Sequence, residues 1–240
     1  MAFGHAKIVL KAVITDIDGT LTDEKRRLNT TAVETIRKLQ DNGVEVVLAS
    51  GNTSCILKGL SKLIGTGGTF IGENGGVFRI GFSGSLVVLP NRQIALEALD
   101  VLIQHFEKQG ITLDMFSPRE RFADVAFART VPVQVIRELL SGWNVTILDT
   151  NFAIHIQEAG FSKGKAFQKI AEELRIPVSS FLAIGDSEND IDMIQAAGAG
   201  CCVANSAQEV KEAAVFISKK SYGDGFVETI TRFFPHIFER

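Results

Sequence analysis

The sequence predicts an α/β fold in which a Rossmann-like, mainly parallel sheet carries an inserted small α+β domain. Short β-branched runs alternate with amphipathic helical stretches at both ends of the chain, and such alternation is typical of parallel sheets with right-handed crossovers. The middle of the chain instead gives a helix–strand–strand pattern twice. A length of 240 residues suits one large domain with a modest insert.

The first part of the chain contains three predicted strands and two predicted helices. The expected strands, each a short apolar run, are residues 8–15, 44–49 and 69–72. Thr31 and Glu34 have the spacing of a capping box, which predicts the start of the first helix, and Asn42-Gly43 predicts its end. A second helix is expected over 56–64, where the apolar residues have helical spacing.

The last part of the chain repeats the alternation. The expected strands are residues 181–184, 201–204 and 215–218. Ser162 is expected to cap a helix that ends before Pro177, and a second helix is expected over 190–197. Ser206 and Glu209 have capping-box spacing, which predicts the start of a further helix.

The middle of the chain is expected to form the insert. Its predicted helices and strands, in order, are a helix at 94–107, strands at 111–116 and 122–128, a helix at 133–140, and strands at 145–148 and 152–157. This pattern predicts an antiparallel sheet with helices on one face. Gly84 and Gly160 lie near its expected limits, so the core is expected at 1–83 and 158–240 and the cap domain at 84–157.

Composition argues against several classes of protein. The net charge is −3 and the lysines and arginines are dispersed, whereas a nucleic-acid or membrane-surface protein usually carries a basic stripe. We find neither an apolar run long enough to span a bilayer nor a signal peptide. The three cysteines lack disulfide or zinc spacing and are expected to be buried, reduced thiols, so a cytoplasmic location is expected.

Carboxylates follow the first predicted strand, at the end where α/β sheets bind ligands. Asp16 and Asp18 are two positions apart and precede Gly19, so both side chains can turn toward one point. Because adjacent carboxylates repel each other, a cation is their natural counter-charge, and their oxygens suit Mg²⁺. Considered alone, a plain turn with a capping Asp explains the pair equally well.

Four further polar segments follow other strands or open a helix. Ser50-Gly51-Asn52 and Lys163 are candidates for holding phosphate oxygens, since turn amides, hydroxyls and a cation at a helix start attract anions. Residues 185–190 put three carboxylates into one loop, which is costly without a metal. Residues 73–76 are explained by a hairpin turn. Taken singly, a helix cap, a solvated lysine or a solvated acidic turn explains the others.

Together and in this order, the segments resemble the haloacid dehalogenase superfamily of phosphohydrolases. Asp16-Ile17-Asp18-Gly19-Thr20 resembles its first motif, Ser50 the second, Lys163 the third, and Gly185-Asp186 with Asp190 the fourth. The resemblance covers essentially the whole chain, and the insert resembles the superfamily's late α+β cap. Val203-Ala204-Asn205 also resembles a segment that is common in this branch.

Within this branch the sequence most resembles the archaeal-type phosphoglycolate phosphatases. The cap has only two helix–strand–strand units, Asn52 stands where many sugar-phosphate enzymes carry Arg, and residues 152–156 resemble a His-containing cap strand of that group. The resemblance implies a Mg²⁺-dependent phosphate monoester hydrolase for a small phosphorylated metabolite, with 2-phosphoglycolate as the expected substrate. Oligomeric state is left open between monomer and homodimer.

The resemblance and the residue types together assign expected roles. Asp16 would be the nucleophile that forms an aspartyl-phosphate, and Asp18 the general acid and base. Ser50, Gly51 and Lys163 would hold phosphate oxygens. The expected Mg²⁺ ligands are one oxygen of Asp16, the Asp18 backbone carbonyl, Asp186, and Asp190 either directly or through a water. Asn52 and Asn189 are expected supporting residues, Asn189 as one that orients a carboxylate or a water.

His155 is expected to face the active site from the cap. In an alternating strand, Phe152, Ile154 and Ile156 would face the cap helices, and the side chains between them would face the open side. A histidine there could donate to the carboxylate of a small anionic substrate. The alternative is an exposed histidine without a role.

Other functions stay open at this point. A sugar-phosphate phosphatase or a phosphomutase of the same superfamily would use the same intermediate. A phosphoacceptor signalling domain is normally about half this length, and a catalytically dead binding protein would be expected to have lost one of the carboxylates. Because Asp18 offers an acid and base to discharge the phosphoryl group, the sequence favours an enzyme that turns over.

Overall fold

The structure is a computed structural model that describes residues 9–150 and 152–239. The strands are β1 (Ala12–Asp16), β2 (Glu45–Ala49), β3 (Phe70–Gly72), β4 (Val77–Arg79), β5 (Val87–Val88), β6 (Asp124–Ala128), β7 (Val145–Asp149), β8 (Ala153–Glu158), β9 (Phe181–Gly185), β10 (Ala199–Cys202) and β11 (Phe216–Ile217). The helices are α1 (Thr30–Asp41), α2 (Ser54–Ile64), α3 (Arg92–Glu107), α4 (Val133–Leu139), α5 (Lys163–Leu174), α6 (Ile191–Ala196), α7 (Gln208–Ala213) and α8 (Tyr222–Phe233). Ile8, the predicted start of the first strand, lies outside the described residues.

An eight-stranded sheet forms the core, in the order β11-β10-β9-β1-β2-β3-β4-β5. The strands from β11 to β3 pair in parallel, whereas β4 and β5 add an antiparallel edge. The predicted α/β fold is confirmed. Because β1 lies between β2 and β9, the residues that follow these three strands meet at one edge of the sheet.

Helices cover both faces of this sheet. Residues of β1 alternate between the two layers: Val13 packs with α1, α2 and α8, whereas Ala12 and Ile14 pack with α5 and α6. All five residues of β1 are buried, as expected for a central strand covered on both faces. Continuous apolar strands therefore predict the layers correctly.

The insert forms a second, antiparallel sheet in the order β6-β8-β7, with α3 and α4 packed on one face. The predicted α+β pattern is present, but the predicted strand at 111–116 is wrong. Within the described residues, that segment contributes only an isolated bridge between Met115 and Phe127. Thr112 and Asp114 are exposed in alternation, which one open sheet face would allow, but pairing with β6 does not continue beyond this bridge, so the segment is not a strand.

The limits of the insert differ slightly from the predicted glycines. β5 lies beyond Gly84 and still pairs with β4 in the large sheet. The cap sheet extends to Glu158, one residue past the expected limit. A cap domain at 84–157 stays a prediction, to be adjusted by a few residues at its start.

Several local predictions are wrong. The start of α1 is capped by Asn29, whose side-chain oxygen accepts from Ala32 N (3.0 Å), not by a Thr31–Glu34 capping box. The helix begins at Thr30, so Thr31 lies inside the helix and cannot be its cap. Ser206 does not cap α7 either, since its hydroxyl donates to the Gly185 carbonyl. Cys55 is exposed, whereas Cys201 and Cys202 are buried as predicted.

Among the strands and α-helices named above, β4, β5 and α8 were not predicted from the sequence. The two strands are short, and α8 has glycines in its first turns that weaken a helical pattern. None of the helices in the described part of the chain combines the length and apolar composition needed to cross a bilayer.

Candidate active site

The edge formed by the ends of β1, β2 and β9 gathers the predicted carboxylates. Asp16 is the last residue of β1, and Asp186 directly follows β9. Gly19, in the loop after β1, has φ +90, and a Cβ on it would collide with the Asp186 carboxylate. Only glycine permits this approach. The loop is held by Asn205, whose side-chain amide donates to the Gly19 carbonyl (3.0 Å).

Lys163, the first residue of α5, is the cation of this cluster. Its Nζ donates to Asp16 Oδ1 and to Asp190 Oδ1, both at 2.7 Å. The side chain is 1% exposed, which excludes the solvated surface lysine considered from the sequence. Burial alone would lower the pKa of Lys163, but the two carboxylates raise it above the ordinary lysine value. The ammonium therefore stays charged at neutral pH.

Asp16, Asp186 and Asp190 form a group whose carboxylate oxygens lie within 4.8 Å of one another. Lys163 offsets only one of these three negative charges. Burial raises the pKa of Asp16 well above its ordinary value. The charge of Lys163 lowers this pKa, whereas the charges of Asp190 and Asp186 raise it further. Burial, followed by the charge of Asp190, also raises the pKa of Asp186 to about 7. Such shifts mark a site that lacks positive charge.

These residues fit a divalent cation. Asp16 Oδ2 is buried and has no hydrogen-bond partner among the described residues. Two negative charges remain after Lys163 is counted, which matches the charge of Mg²⁺, and carboxylate oxygens are its preferred protein ligands. Asp190 Oδ2 is fixed by the backbone N–H groups of Asp186 and Ser187, each at 3.1 Å. The group is therefore preorganised for a hard cation.

Asp18 lies on the open side of the cluster and lines a cleft of about 330 Å³ between core and cap. Its Oδ2 accepts from the side-chain amide of Asn52 (2.9 Å), and its Oδ1 accepts from Arg26 Nε (3.1 Å). The side chain of Asp18 is 23% exposed. It can therefore exchange protons with solvent or with a molecule in the cleft, as general acid–base work requires.

Ser50 follows β2 and also lines the cleft. Its Oγ accepts from the backbone and side-chain N–H groups of Asn52, at 3.1 and 2.9 Å. The hydroxyl proton stays available for an oxygen in the cleft. Gly51 N–H makes no hydrogen bond with the described residues, so this loop offers two donors at one place. Such donors suit a phosphate oxygen.

Asn189 lies in the same loop as Asp186 but does not bond to a carboxylate. Its Nδ2 donates to Asn74 Oδ1 (2.9 Å). Asn189 Oδ1 and Asn74 Nδ2 are buried and lack partners among the described residues, and both residues line the cleft. Asn74 was not singled out from the sequence, beyond its place in a predicted turn. The pair can orient a water or a ligand oxygen.

The cap contributes His155, which lies on β8 and lines the same cleft. Its Nδ1 bonds to Asp124 Oδ2 (2.9 Å), and the residue is 4% exposed. This excludes the exposed histidine without partners. Ile154 and Ile156 pack in the cap core as predicted. Phe152 does not: it precedes β8, is 41% exposed, and lies 4.0 Å under the Arg26 guanidinium.

Glu73 joins the core to the cap, a role that the predicted hairpin turn does not reveal. The hairpin between β3 and β4 is present, but the Glu73 carboxylate is fully buried and accepts from the backbone N–H groups of residues 122–124. Burial and the charge of Asp124 raise the pKa of Glu73 to about 7. The sequence did contain a sign that Glu73 has such a role, because it is an acidic residue directly after an apolar strand, as Asp16 and Asp186 are.

Comparison with known proteins identifies the family. Residues 13–126 and 131–230 match the haloacid dehalogenase-like hydrolases. The chain belongs to this family. A phosphoglycolate phosphatase of Methanospirillum hungatei is 63% identical over 232 residues, which cover 97% of this chain and 100% of that protein. One of Methanoculleus marisnigri is 50% identical, with 97% and 100% covered.

A solved structure shares the fold. Thermoplasma acidophilum 0175 superposes with a TM-score of 0.84 at 27% identity, covering 94% of this chain and 98% of that one. The predicted membership of the haloacid dehalogenase superfamily and the predicted resemblance to archaeal phosphoglycolate phosphatases are confirmed. The prediction that the chain is an enzyme, a phosphatase, is confirmed as well.

Proposed function

We propose that the protein hydrolyses 2-phosphoglycolate to glycolate and phosphate in the cytoplasm, through an aspartyl-phosphate on Asp16 and with Mg²⁺ as cofactor. One observation carries this most: the cleft is lined at its core side by Asp18 and by Asp16, to which the buried Lys163 bonds, and at its cap side by His155 and a buried arginine. Such a cleft offers separate positions for a phosphoryl group and a second anionic group. The names of the relatives at 63% and 50% identity support the same substrate.

In the first step, an oxygen of Asp16 attacks phosphorus and the bond from phosphorus to the glycolate oxygen breaks. Asp18 donates its proton to the departing alkoxide. Ser50 and the Gly51 N–H hold the transferring oxygens, which carry negative charge in the transition state. A carboxylate is the better leaving group for the next step, so one difficult displacement becomes two easier ones.

In the second step, water attacks phosphorus and Asp18, now a carboxylate, takes its proton. The Asp16–phosphorus bond breaks, and Asp16 returns to its starting state. Asn52 and Arg26, which bond to Asp18, hold that carboxylate in place for both transfers. Mg²⁺, held by Asp16, the Asp18 carbonyl, Asp186 and Asp190, would supply charge that screens Asp16 from the phosphate dianion.

A phosphate-release screen over about a hundred phosphorylated metabolites tests the substrate. We expect kcat/KM for phosphoglycolate to exceed that for hexose phosphates and for p-nitrophenyl phosphate by at least about 100-fold. The reason is that phosphoglycolate, unlike these two, combines a phosphate with a nearby carboxylate. A preference for hexose phosphates would establish the sugar-phosphate alternative. Isomerised sugar phosphate without phosphate release would establish a phosphomutase.

Replacing His155 tests how the leaving group is recognised. His155→Asn keeps an N–H donor for Asp124 but removes the ring nitrogen Nε2, which makes no hydrogen bond with the described residues. We expect KM for phosphoglycolate to rise about 10-fold, the value of one lost hydrogen bond to a charged group, with a much smaller change for p-nitrophenyl phosphate. An equal loss on both substrates would instead place His155 in structure or general catalysis.

A further inference from the structure

The cap side of the cleft contains a preformed anion position at Arg121. Resting on the proposed function, we propose that the Arg121 guanidinium binds the carboxylate of the substrate and that Asp124 is the positioning residue that holds it there. Neither residue was a candidate from the sequence. The second half of the substrate is then a carboxylate one carbon away from the phosphorylated oxygen.

Arg121 is a cation held almost entirely out of water. It is 6% exposed and lines the cleft. Its Nε donates to the Phe116 carbonyl (2.9 Å), and its Nη1 donates to Asp124 Oδ1 (2.7 Å) and to the Gly51 carbonyl (3.3 Å). A guanidinium has five N–H groups, so these contacts leave the two of Nη2. That nitrogen makes no hydrogen bond with the described residues and is not completely buried.

Asp124 fixes Arg121 and His155 at once. It is fully buried, with Oδ1 bonded to Arg121 and Oδ2 to His155 Nδ1. Burial alone would raise the pKa of Asp124, but His155 and Arg121 lower it below its ordinary value. An ionised Asp124 has no proton to donate, so it accepts from both neighbours. The free Nη2 of Arg121 and the free Nε2 of His155 are thereby left for a ligand.

The position of Arg121 suits the leaving group rather than the phosphoryl group. Arg121 belongs to the cap: its two shorter contacts are to the cap residues Phe116 and Asp124, and only its longer contact, to the Gly51 carbonyl, reaches the loop expected to hold phosphate oxygens. In an in-line displacement, the leaving group lies on the far side of phosphorus from Asp16. The leaving group therefore extends toward the cap. A short substrate such as phosphoglycolate brings its carboxylate there while its phosphate stays at the core.

A second arginine in the cleft is less suited to this role. Arg26 is 51% exposed, bonds to Asp18 and stacks on Phe152. Its side chain is therefore partly hydrated and already engaged with the expected general acid. Arg121 is held by three contacts before any ligand arrives, so less conformational entropy is lost on binding. Preorganised guanidinium groups also match carboxylates better than other cations do.

The test compares phosphoglycolate with phosphoglycolamide, its uncharged amide of nearly equal size. For each enzyme, kcat/KM is measured on both substrates and their ratio is taken from one preparation, so that loss of folded protein cancels. We expect Arg121→Gln to lower the ratio about 10- to 100-fold, the range for a hydrogen bond to a charged group. Arg121→Lys keeps a cation beside Asp124 and should lower the ratio less.

Controls separate this inference from the proposed function. Arg119→Gln changes an exposed arginine of the same loop that does not line the cleft, and it should leave the ratio unchanged. Wild-type enzyme that fails to hydrolyse phosphoglycolate would overturn the proposed function. Wild-type enzyme that hydrolyses both substrates equally would overturn only the role of Arg121. So would an Arg121 variant that loses both activities equally, or a ratio that falls with Arg26→Gln and not with Arg121→Gln.

Discussion

Asp16→Asn is expected to lower kcat/KM at least about 1000-fold, because it removes the nucleophile while keeping the shape of the side chain. The residue is buried, bonds to Lys163 through one oxygen and leaves the other without a partner. An amide is a far weaker nucleophile than a carboxylate. Steady-state phosphate release from phosphoglycolate measures the effect.

The free energy of unfolding shows whether Asp16→Asn loses activity through lost catalysis or through lost folding. The pKa of Asp16 is raised in the folded protein, so its ionised form opposes folding increasingly as pH rises through that pKa. Asn is neutral, and the free energy of unfolding in metal-free buffer at pH 7 is therefore expected not to fall. Asp41→Asn, an exposed change at the end of α1, is the matched control for activity. A tenth of wild-type activity in Asp16→Asn would contradict a nucleophilic role.

Removing divalent cations with EDTA is expected to lower turnover to background, and Mg²⁺ should restore it. Asp16, Asp186 and Asp190 leave two negative charges uncompensated, which is unfavourable in a buried site unless a cation binds. Ca²⁺ prefers more ligands and looser geometry than Mg²⁺, so it should inhibit. Full activity with Ca²⁺ alone, or in metal-free buffer, would contradict the expected roles of Asp186 and Asp190.

Thermal unfolding gives a readout of the metal that does not depend on activity. Mg²⁺ should raise the melting temperature of the wild type, since a ligand that binds only the folded state stabilises it. The pKa of Asp186 is about 7 without metal, and protons compete with the cation. The apparent Mg²⁺ affinity should therefore increase as pH rises through about 7. Asp186→Asn should abolish the stabilisation, whereas Asp41→Asn should retain it.

The core and most of its polar edge could be predicted from the sequence because they depend on local patterns. Apolar strands such as β1 and β2 are buried on both faces, and parallel strands bring their carboxyl ends to one edge. That rule is enough to group Asp16, Ser50 and Asp186 before any coordinates exist. The expected chemistry then depends on which residue types occur at the ends of those strands.

One prediction failed for a local reason: Asn29, which precedes the expected cap, supplies the side-chain oxygen at the start of α1. The others that failed depended on contacts between separate segments. The segment at 111–116 is apolar and alternating but lacks a continuous partner strand. Phe152 breaks the alternation of its strand because it stacks under Arg26 from the core. Local pattern alone does not contain these partners.

The sequence by itself determined the fold class, the strand-end carboxylates and the family, since periodicity and the order of motifs can be read along the chain without knowledge of contacts. Only the tertiary structure decided that Glu73 holds the cap through residues 122–124, and that Asp124 fixes both Arg121 and His155. Buried charges need partners wherever the fold supplies them. His155 lies 31 residues from Asp124, and Ala123 lies 50 residues from Glu73; no sequence period encodes such separations.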